Sequence, residues 1–360
     1  MMNTPNFLVD VRCFTFNQSR YITDTMNGFC MQKTNFPFIC CIVDDASTDG
    51  EQEVIEKYLE DNFDLSKESG SYKKETDYGF ITYARHKTND NCYFYVIFLK
   101  ENHYSNPEIK EKRMGYISHW QSMCKYEAMC EGDDYWIDSS KLQKQAEFLE
   151  NNSDYIMCFT NFNMYYQNSD KMYQSVLTNQ PEKYPHEFTI EQWIMAKAYV
   201  GPMSWMYRTS CIYKIPELGG PDGTFVWFTY FLATSKVKCL IDKTTAVYRI
   251  NDGSVTHLKK VSDIYKRTVG LFKIQLRLIE IYISNYEQGE IRERLYLDYA
   301  SQNMKYIYLC NDKFGLSIID IVKDNFPFSK KVLYYAYQLI PNMMSCLYSK
   351  YLKSKGILNY

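Results

Sequence analysis

The chain has 360 residues, 46% hydrophobic and 23% charged, enough for one large or two modest globular domains with a core of good size. A formal charge of −2 offers no basic field to recruit nucleic acid. No run of about 18 apolar residues is present to cross a membrane.

Residues 7–16, a mix of apolar and β-branched residues, predict a strand. Asn17-Gln18-Ser19 turns the chain into a helix over 20–32. Phe38 to Val43 (FICCIV) is short and continuously apolar, the signature of a strand buried on both faces of a parallel sheet. It ends in Asp44-Asp45-Ala46-Ser47-Thr48-Asp49-Gly50, and a helix is predicted over 51–62. The opening is therefore β-α-β-α, the start of an open α/β sheet. Residues 64–91 read as a polar loop or hairpin insertion, 92–99 as a strand, 108–123 as a helix and 126–130 as a strand. Asp138 and Ser139 cap a helix over 140–151, and 155–163 is a strand followed by polar loop to 186. Residues 237–250 predict two short strands joined by a turn at Asp242-Lys243. From about 256 the period is helical, with breaks near Asn285–Gly289, Cys310–Phe314 and Asn325–Ser329 and a split at Pro341. A boundary near 255 divides an α/β domain (1–255) from a helical region (256–360).

Twelve scattered cysteines without a CxxC read as reduced, core-packed thiols rather than a disulfide framework or zinc site. The first residues lack the charged leader and apolar core of a signal peptide, so a cytoplasmic location is expected. The 34 tyrosines suit sugar-facing clefts, since tyrosine buries area and keeps a polar handle, and equally fit a biased overall composition.

Ligands of open α/β sheets bind beyond the carboxyl ends of strands. Three predicted strand ends carry polar or chelating groups: Asn17, Asp44-Asp45 and, after Gly132, Asp133-Asp134. Paired carboxylates are hard ligands for Mg²⁺ or Mn²⁺, which commonly take one or two of them plus substrate phosphates. The combination points to a nucleotide-plus-metal site. GxGxxG and GxxxxGK[ST] are both missing, which argues against dinucleotide oxidoreductases and P-loop NTPases.

The segments Thr15-Phe16-Asn17, Val43-Asp44-Asp45-Ala46-Ser47-Thr48-Asp49-Gly50 and Cys130-Glu131-Gly132-Asp133-Asp134-Tyr135-Trp136 occur in that order, followed by Lys141-Leu142-Gln143-Lys144-Gln145, Val247-Tyr248-Arg249 and Gly253-Ser254. Over roughly residues 6–257 the chain thereby resembles a family 2 glycosyltransferase of the GT-A fold, in the bacterial group with a CEGDDYW signature. The resemblance implies a Rossmann-like, nucleotide-sugar-binding open mixed sheet flanked by helices. It implies a metal-dependent inverting transfer from a nucleotide-diphosphate sugar, UDP-linked by expectation, to a glycan or lipid-linked glycan acceptor. Asp45 would meet the base edge, and Thr15, Phe16 and Asn17 would lie along that part of the donor. Asp134 would bind Mn²⁺ or Mg²⁺, with Asp133 reaching the metal or the ribose. Arg113 would pair with the diphosphate, and Trp136 would wall the sugar pocket.

Each assignment has a plainer counterpart. Asp44 and Asp49 serve as helix caps, Phe16 as core, Tyr135 and Trp136 as sheet packing, and Lys141 as a solvated helix residue. Lys110, Lys112 and Arg113 make an ordinary basic face. His119, His186 and His257 are also available as bases or as structural residues, and His257, just after Gly253-Ser254, would lie near the end of the domain and the donor's phosphates. The position where the family carries its acidic base falls near Thr224, which cannot act as one; Asp222 is the candidate base, in a Pro-Asp-Gly sequence that also reads as a turn. That departure keeps open an alternative, a catalytically impaired nucleotide-sugar-binding protein acting as an assembly partner. A nucleotidyltransferase would carry a Gly-rich basic loop after the first strand, which Asn17-Gln18-Ser19-Arg20 is not. Residues 327–355 combine apolar residues with lysines, fitting either peripheral contact with an anionic membrane face or packing on the domain or a second subunit.

Overall fold

A computed structural model of the chain describes residues 5–106, 108–109, 112–180, 184, 188–195, 199–251, 258, 260–355 and 357. It groups into two compact units, one of residues 1–187, 198–215 and 234–251, the other of 188–197, 216–233 and 252–360. Segments 188–197 and 216–233, which the sequence reading places before its boundary near 255, group with the second unit.

The first unit holds β1 (Val9–Thr15), α1 (Ile22–Cys30), β2 (Phe38–Asp44), α2 (Glu51–Asn62), β3 (Phe63–Asp64), β4 (Tyr72–Glu75), β5 (Gly79–His86), β6 (Cys92–Leu99), α3 (Lys112–Met123), β7 (Tyr126–Met129), β8 (Tyr135–Trp136), α4 (Lys141–Asn151), β9 (Tyr155–Tyr166), β10 (Lys171–Tyr173), β11 (Trp205–Arg208) and β12 (Lys236–Ile250). They form one open sheet in the order β3-β5-β6-β2-β1-β7-β11-β9-β12-β8, with β4 on β5 and β10 on β9. Strands β6, β2, β1 and β7 are mutually parallel, and β11 runs antiparallel to β7 and β9. The continuously apolar β2 lies at the middle of this parallel set, and every residue of it is buried, as burial on both faces requires.

The stretch read as a loop or hairpin insertion is a hairpin, β4 antiparallel to β5, and β5 also extends the sheet antiparallel to β6. Two expectations about the elements are corrected. The polar stretch after residue 163 continues β9 to Tyr166 and pairs it with β10. Residues 236–250 are one strand: both halves of β12 run parallel to β9, and the predicted turn at Asp242-Lys243 is a register shift between Leu240 and Thr244. A bulge absorbs polar residues without reversing the chain, a choice that local composition does not fix.

Under the sheet, Phe7, Ile39, Val43, Ile97, Ile117 and Trp120 belong to one packed cluster. Buried charges cross the same region. Arg12 of β1 pairs with Glu127 of β7 at 3.3 Å, and Glu127 also accepts from the Tyr207 hydroxyl and the Gln121 amide. Asp10 is buried beside them; desolvation first, then the charge of Glu127, pushes its carboxyl well above the usual range. The cysteines of the first unit's strands are free thiols, most of them buried.

The second unit is helical: α5 (Ile190–Met195), α6 (Gly223–Thr234), α7 (Val261–Tyr282), α8 (Gln288–Leu309), α9 (Lys313–Val322), α10 (Phe328–Leu339) and α11 (Pro341–Ser354). Trp193 meets Phe228 at 4.1 Å between α5 and α6, and Phe272 stacks on Tyr299 at 4.0 Å between α7 and α8. Asp312 caps α9 by accepting from the Phe314 and Gly315 N–H groups. Pro341 sits at the first position of α11, where its missing N–H costs nothing.

Candidate active site

Parallel register brings three strand ends level. Thr15 pairs with Asp44 across β1 and β2. Past the end of β7, the Cys130 and Gly132 N–H groups still donate to Arg12 and Phe14 carbonyls at 3.0 Å, and the Asp45 N–H donates to Thr15 O at 3.0 Å. Thus Thr15–Asn17, Asp44–Asp45 and Gly132–Asp134, far apart in the chain, occupy one edge of the sheet.

The β1 and β2 loops are tied to each other. Asn17 takes a left-handed φ of 55°, a conformation asparagine tolerates better than most residues. Its Oδ1 accepts the Thr48 N–H at 2.8 Å and its own N–H donates to Ser47 Oγ at 2.8 Å. Phe16 is 44% exposed, so its reading as core is ruled out. Thr15, by contrast, is buried: its hydroxyl faces Gln18 Oε1 at 2.9 Å and the Glu51 carboxylate. The Thr15 side chain thereby supports the loop that carries Phe16 and Asn17.

Asp45 is buried, and its two oxygens accept the His103 and Tyr104 N–H groups at 2.7 and 3.0 Å. It thereby fixes the turn after β6, with Asn102 Nδ2 donating to its carbonyl. Asp44 accepts from Ser47 N–H and Gln52 Nε2, and Asp49 from Glu51 and Ser19 N–H groups, so both order the β2–α2 loop, while Gly50 holds the cap position of α2.

The acidic pair is built more tightly than a solvated turn. A Cβ on Gly132 would overlap Thr15 Oγ1 and Gln18 Oε1, so only glycine lets the loop lie this close to β1. Thr25 Oγ1 bonds the Gly132 and Asp134 carbonyls at 2.9 and 2.6 Å. Asp134 is 3% exposed and its Oδ1 accepts the Arg249 N–H at 2.8 Å; Asp133 is half-buried and its Oδ2 accepts from Asn251 Nδ2 at 3.1 Å. Burial above all, and for Asp134 next the charge of Asp133, raises both carboxyls, Asp134 well above the usual range. Two desolvated, mutually repelling oxygen ligands are a chemical environment that a hard divalent cation relieves. Among the described residues no group of three or more His, Cys, Asp or Glu converges to hold a metal. The pair therefore fits Mg²⁺ or Mn²⁺ with further ligands from substrate phosphates and water.

Arg249 anchors the edge of this site. Its guanidinium lies over Tyr21 and Tyr135 at 4.7 and 4.9 Å and pairs with Asp24 at 2.6 Å. Tyr135 thus packs against a cation. Trp136 is 2% exposed, donates its indole N–H to Met203 O at 2.8 Å and meets Phe29 edge-on, so its expected place in a sugar pocket is corrected to the core. Lys141, read as solvated, is fully buried. Its Nζ donates to Gln145 Oε1 at 2.6 Å and lies 4.4 Å over the Trp136 ring, and desolvation lowers its pKa to about 7.

Asp222 belongs to the second unit. Its Oδ1 accepts from Thr224 Oγ1 at 2.6 Å and Phe225 N–H at 3.1 Å, and its Oδ2 is 3.5 Å from Arg267. It caps α6 as its Pro-Asp-Gly sequence allows. The side chain of Arg113, on the first turn of α3, lies outside the described residues, as do Lys110, His186, Gly253, Ser254 and His257. His119 is exposed on α3, edge-on to Trp120.

Sequence reasoning missed Glu51, Thr25 and the His103-Tyr104 turn. Glu51 looks like an exposed residue at the start of a helix, yet it is fully buried and accepts from Thr15, the Gln18 N–H and Ser47 Oγ. Its position at the N-terminal turn favours a carboxylate, and this was the one available signal.

No protein-family model matches the chain. Over 249 residues it is 24% identical to uncharacterized proteins of Mycobacterium tuberculosis and Mycobacterium bovis, and the match covers 68% of this chain and 59% of theirs. Among solved structures it is similar to the Staphylococcus aureus protein TarS (residues 1–349) in complex with UDP-GlcNAc, at 17% identity and a TM-score of 0.51, covering 85% of this chain and 76% of that one. A mannosyltransferase from Pyrobaculum calidifontis, in complex with GDP-Man and Mn²⁺, aligns over 96% of this chain and 85% of its own, at 10% identity and a TM-score of 0.48. The fold is thus the GT-A-like one that the sequence motifs imply: an open mixed sheet flanked by helices.

Proposed function

We propose that the protein is a family 2 glycosyltransferase of the CEGDDYW group, moving one sugar from a nucleoside-diphosphate donor to a glycan or lipid-linked glycan acceptor. The observation that carries this reading is the meeting of Phe16-Asn17, Asp45 and Asp133-Asp134 at one strand-end edge. UDP is the proposed nucleotide, a choice supported by the likeness of fold to TarS, which is seen with UDP-GlcNAc. The exposed Phe16 ring and Asn17 are assigned to the base. Asp45 is assigned to the base edge, because it follows β2 at the same strand-end edge as Phe16 and Asn17. Mg²⁺ or Mn²⁺ held by Asp133 and Asp134 would neutralise charge on the leaving diphosphate. Transfer inverts the anomeric carbon: the acceptor oxygen forms the new C–O bond as the bond to the diphosphate breaks, and the acceptor proton passes to a carboxylate. Asp222 is the carboxylate proposed for that proton.

The reading is tested by incubating the full chain with Mn²⁺ and a panel of nucleotide-sugars, with and without acceptor, and following nucleoside diphosphate release. UDP release that falls by ~10²–10³ in Asp134→Ala is expected, the size of losing one fixed charge stabiliser. Pyrophosphate release, or donor binding with no turnover, would overturn it, the latter in favour of a binding protein. Asp222→Asn keeps an acceptor for the α6 cap while removing the base. Turnover is expected to drop by about 10²–10⁴ with Tm unchanged; full activity would leave Asp222 a cap only.

A further inference from the structure

We propose that α10 and α11 form a docking face for an anionic lipid surface. This inference stands apart from the transfer chemistry and uses only the second unit. In α10, Phe328, Val332, Tyr335 and Leu339 recur at intervals of four, three and four, which a helix places on a single stripe. All four are exposed, Phe328 at 83% and Leu339 at 80%. In α11, Met343, Leu347 and Tyr351 repeat every four residues and are exposed as well.

These stripes are not the faces by which the helices pack. Tyr337 and Leu352, the one buried residue of each helix, lie nine positions from Phe328 and Met343, which at 100° per residue is the opposite side. Tyr337 stacks on Tyr308 of α8 at 4.4 Å. Each helix therefore has an apolar anchor inward and a second apolar stripe outward. Outward apolar stripes of this kind mark an interaction site.

Charge identifies the occupant. Between Pro327 and Lys355 there are five lysines, Lys330, Lys331, Lys350, Lys353 and Lys355, and no aspartate or glutamate. Lys331 and Lys350 lie one turn from Phe328 and Leu347, on the margin of the stripes. Lysine stems can lie along apolar surface while their heads reach phosphate. A second copy of the chain would set lysines against lysines, whereas an anionic bilayer pairs with them and takes up the apolar residues to the depth of the headgroup boundary. Neither helix is long and apolar enough to cross the bilayer, so the contact lies in the plane of the surface.

The test is flotation of the full chain with vesicles of phosphatidylcholine alone and of phosphatidylcholine with phosphatidylglycerol, at low and high NaCl. Binding to the phosphatidylglycerol vesicles is expected, weakened by salt and lost in the double variant Leu339→Asp, Leu347→Asp. Each exposed lysine changed to glutamine should lower the partition coefficient roughly fivefold. Because both leucines are exposed, the double variant should melt at the wild-type Tm, which keeps loss of binding distinct from misfolding. Equal partition onto both vesicle types, or no flotation, overturns the proposal. So does a concentration-dependent dimer, seen by light scattering, that the double variant dissolves.

Discussion

Glu127 and Glu51 are both fully buried carboxylates of the first unit, and the fold employs them differently. Glu127 lies in mid-sheet, where Arg12, Tyr207 and Gln121 surround it with side chains from β1, β11 and α3. Glu51 lies at a strand-end edge, where its partners are Thr15, the Gln18 N–H and Ser47, from two loops. The first network joins elements that already pack, so its removal acts on stability. The second joins the two loops that carry Asn17 and Asp45, so its removal acts on the site.

The comparison breaks most readily at Glu127. Glu127→Ala leaves Arg12 charged and buried without its carboxylate, and should cost about 3–5 kcal/mol in urea denaturation. A loss below about 1 kcal/mol would show that the network does not hold the sheet. Glu51→Ala should cost less, about 1–3 kcal/mol for the donors it strands. It should also weaken UDP binding by about tenfold or more in calorimetry. Unchanged affinity would make Glu51 a core residue like Glu127.

Lys141 adds a pH dimension to the comparison. Its folded pKa is lowered to about 7, against an unfolded value near 10.4, so between these values the unfolded chain binds the extra proton. The buried lysine therefore destabilises most below pH 7, and its cost fades as pH rises toward 10. Relative to wild type, Lys141→Met should gain stability by ~1.4 kcal/mol per unit as pH falls from 10 to 7, then level off. A pH-independent difference between the two would mean that the amine is solvated. The smallest effect is expected at Asp312, a half-buried cap of α9 in the second unit. Asp312→Ala should lower stability by about 1 kcal/mol and leave UDP release unchanged.

Much of this was legible locally. FICCIV announces a doubly buried strand, Pro341 splits the last helices, and Asn17, Asp45 and Asp134 are types that bind nucleotides and cations. Local pattern misled where partners were distant. Trp136 reads as a pocket wall until Met203 O accepts its N–H, and Lys141 reads as solvated until Trp136 and Gln145 cover it. Thr224 and Asp222 show the opposite case: a simple turn signal proved a real cap, through Phe225 N–H.

The sequence by itself determined most strands and helices up to residue 163, the helical period after 256 and which strand ends carry oxygen ligands, because periodicity and side-chain chemistry are properties of neighbouring residues. Only the tertiary structure decided that Thr15, Asp44 and Gly132 share one edge, that Glu51 is buried and that one face of α10 and α11 stays uncovered. Register, burial and the desolvation that follows from them are set by residues remote in the chain, and no local pattern encodes them.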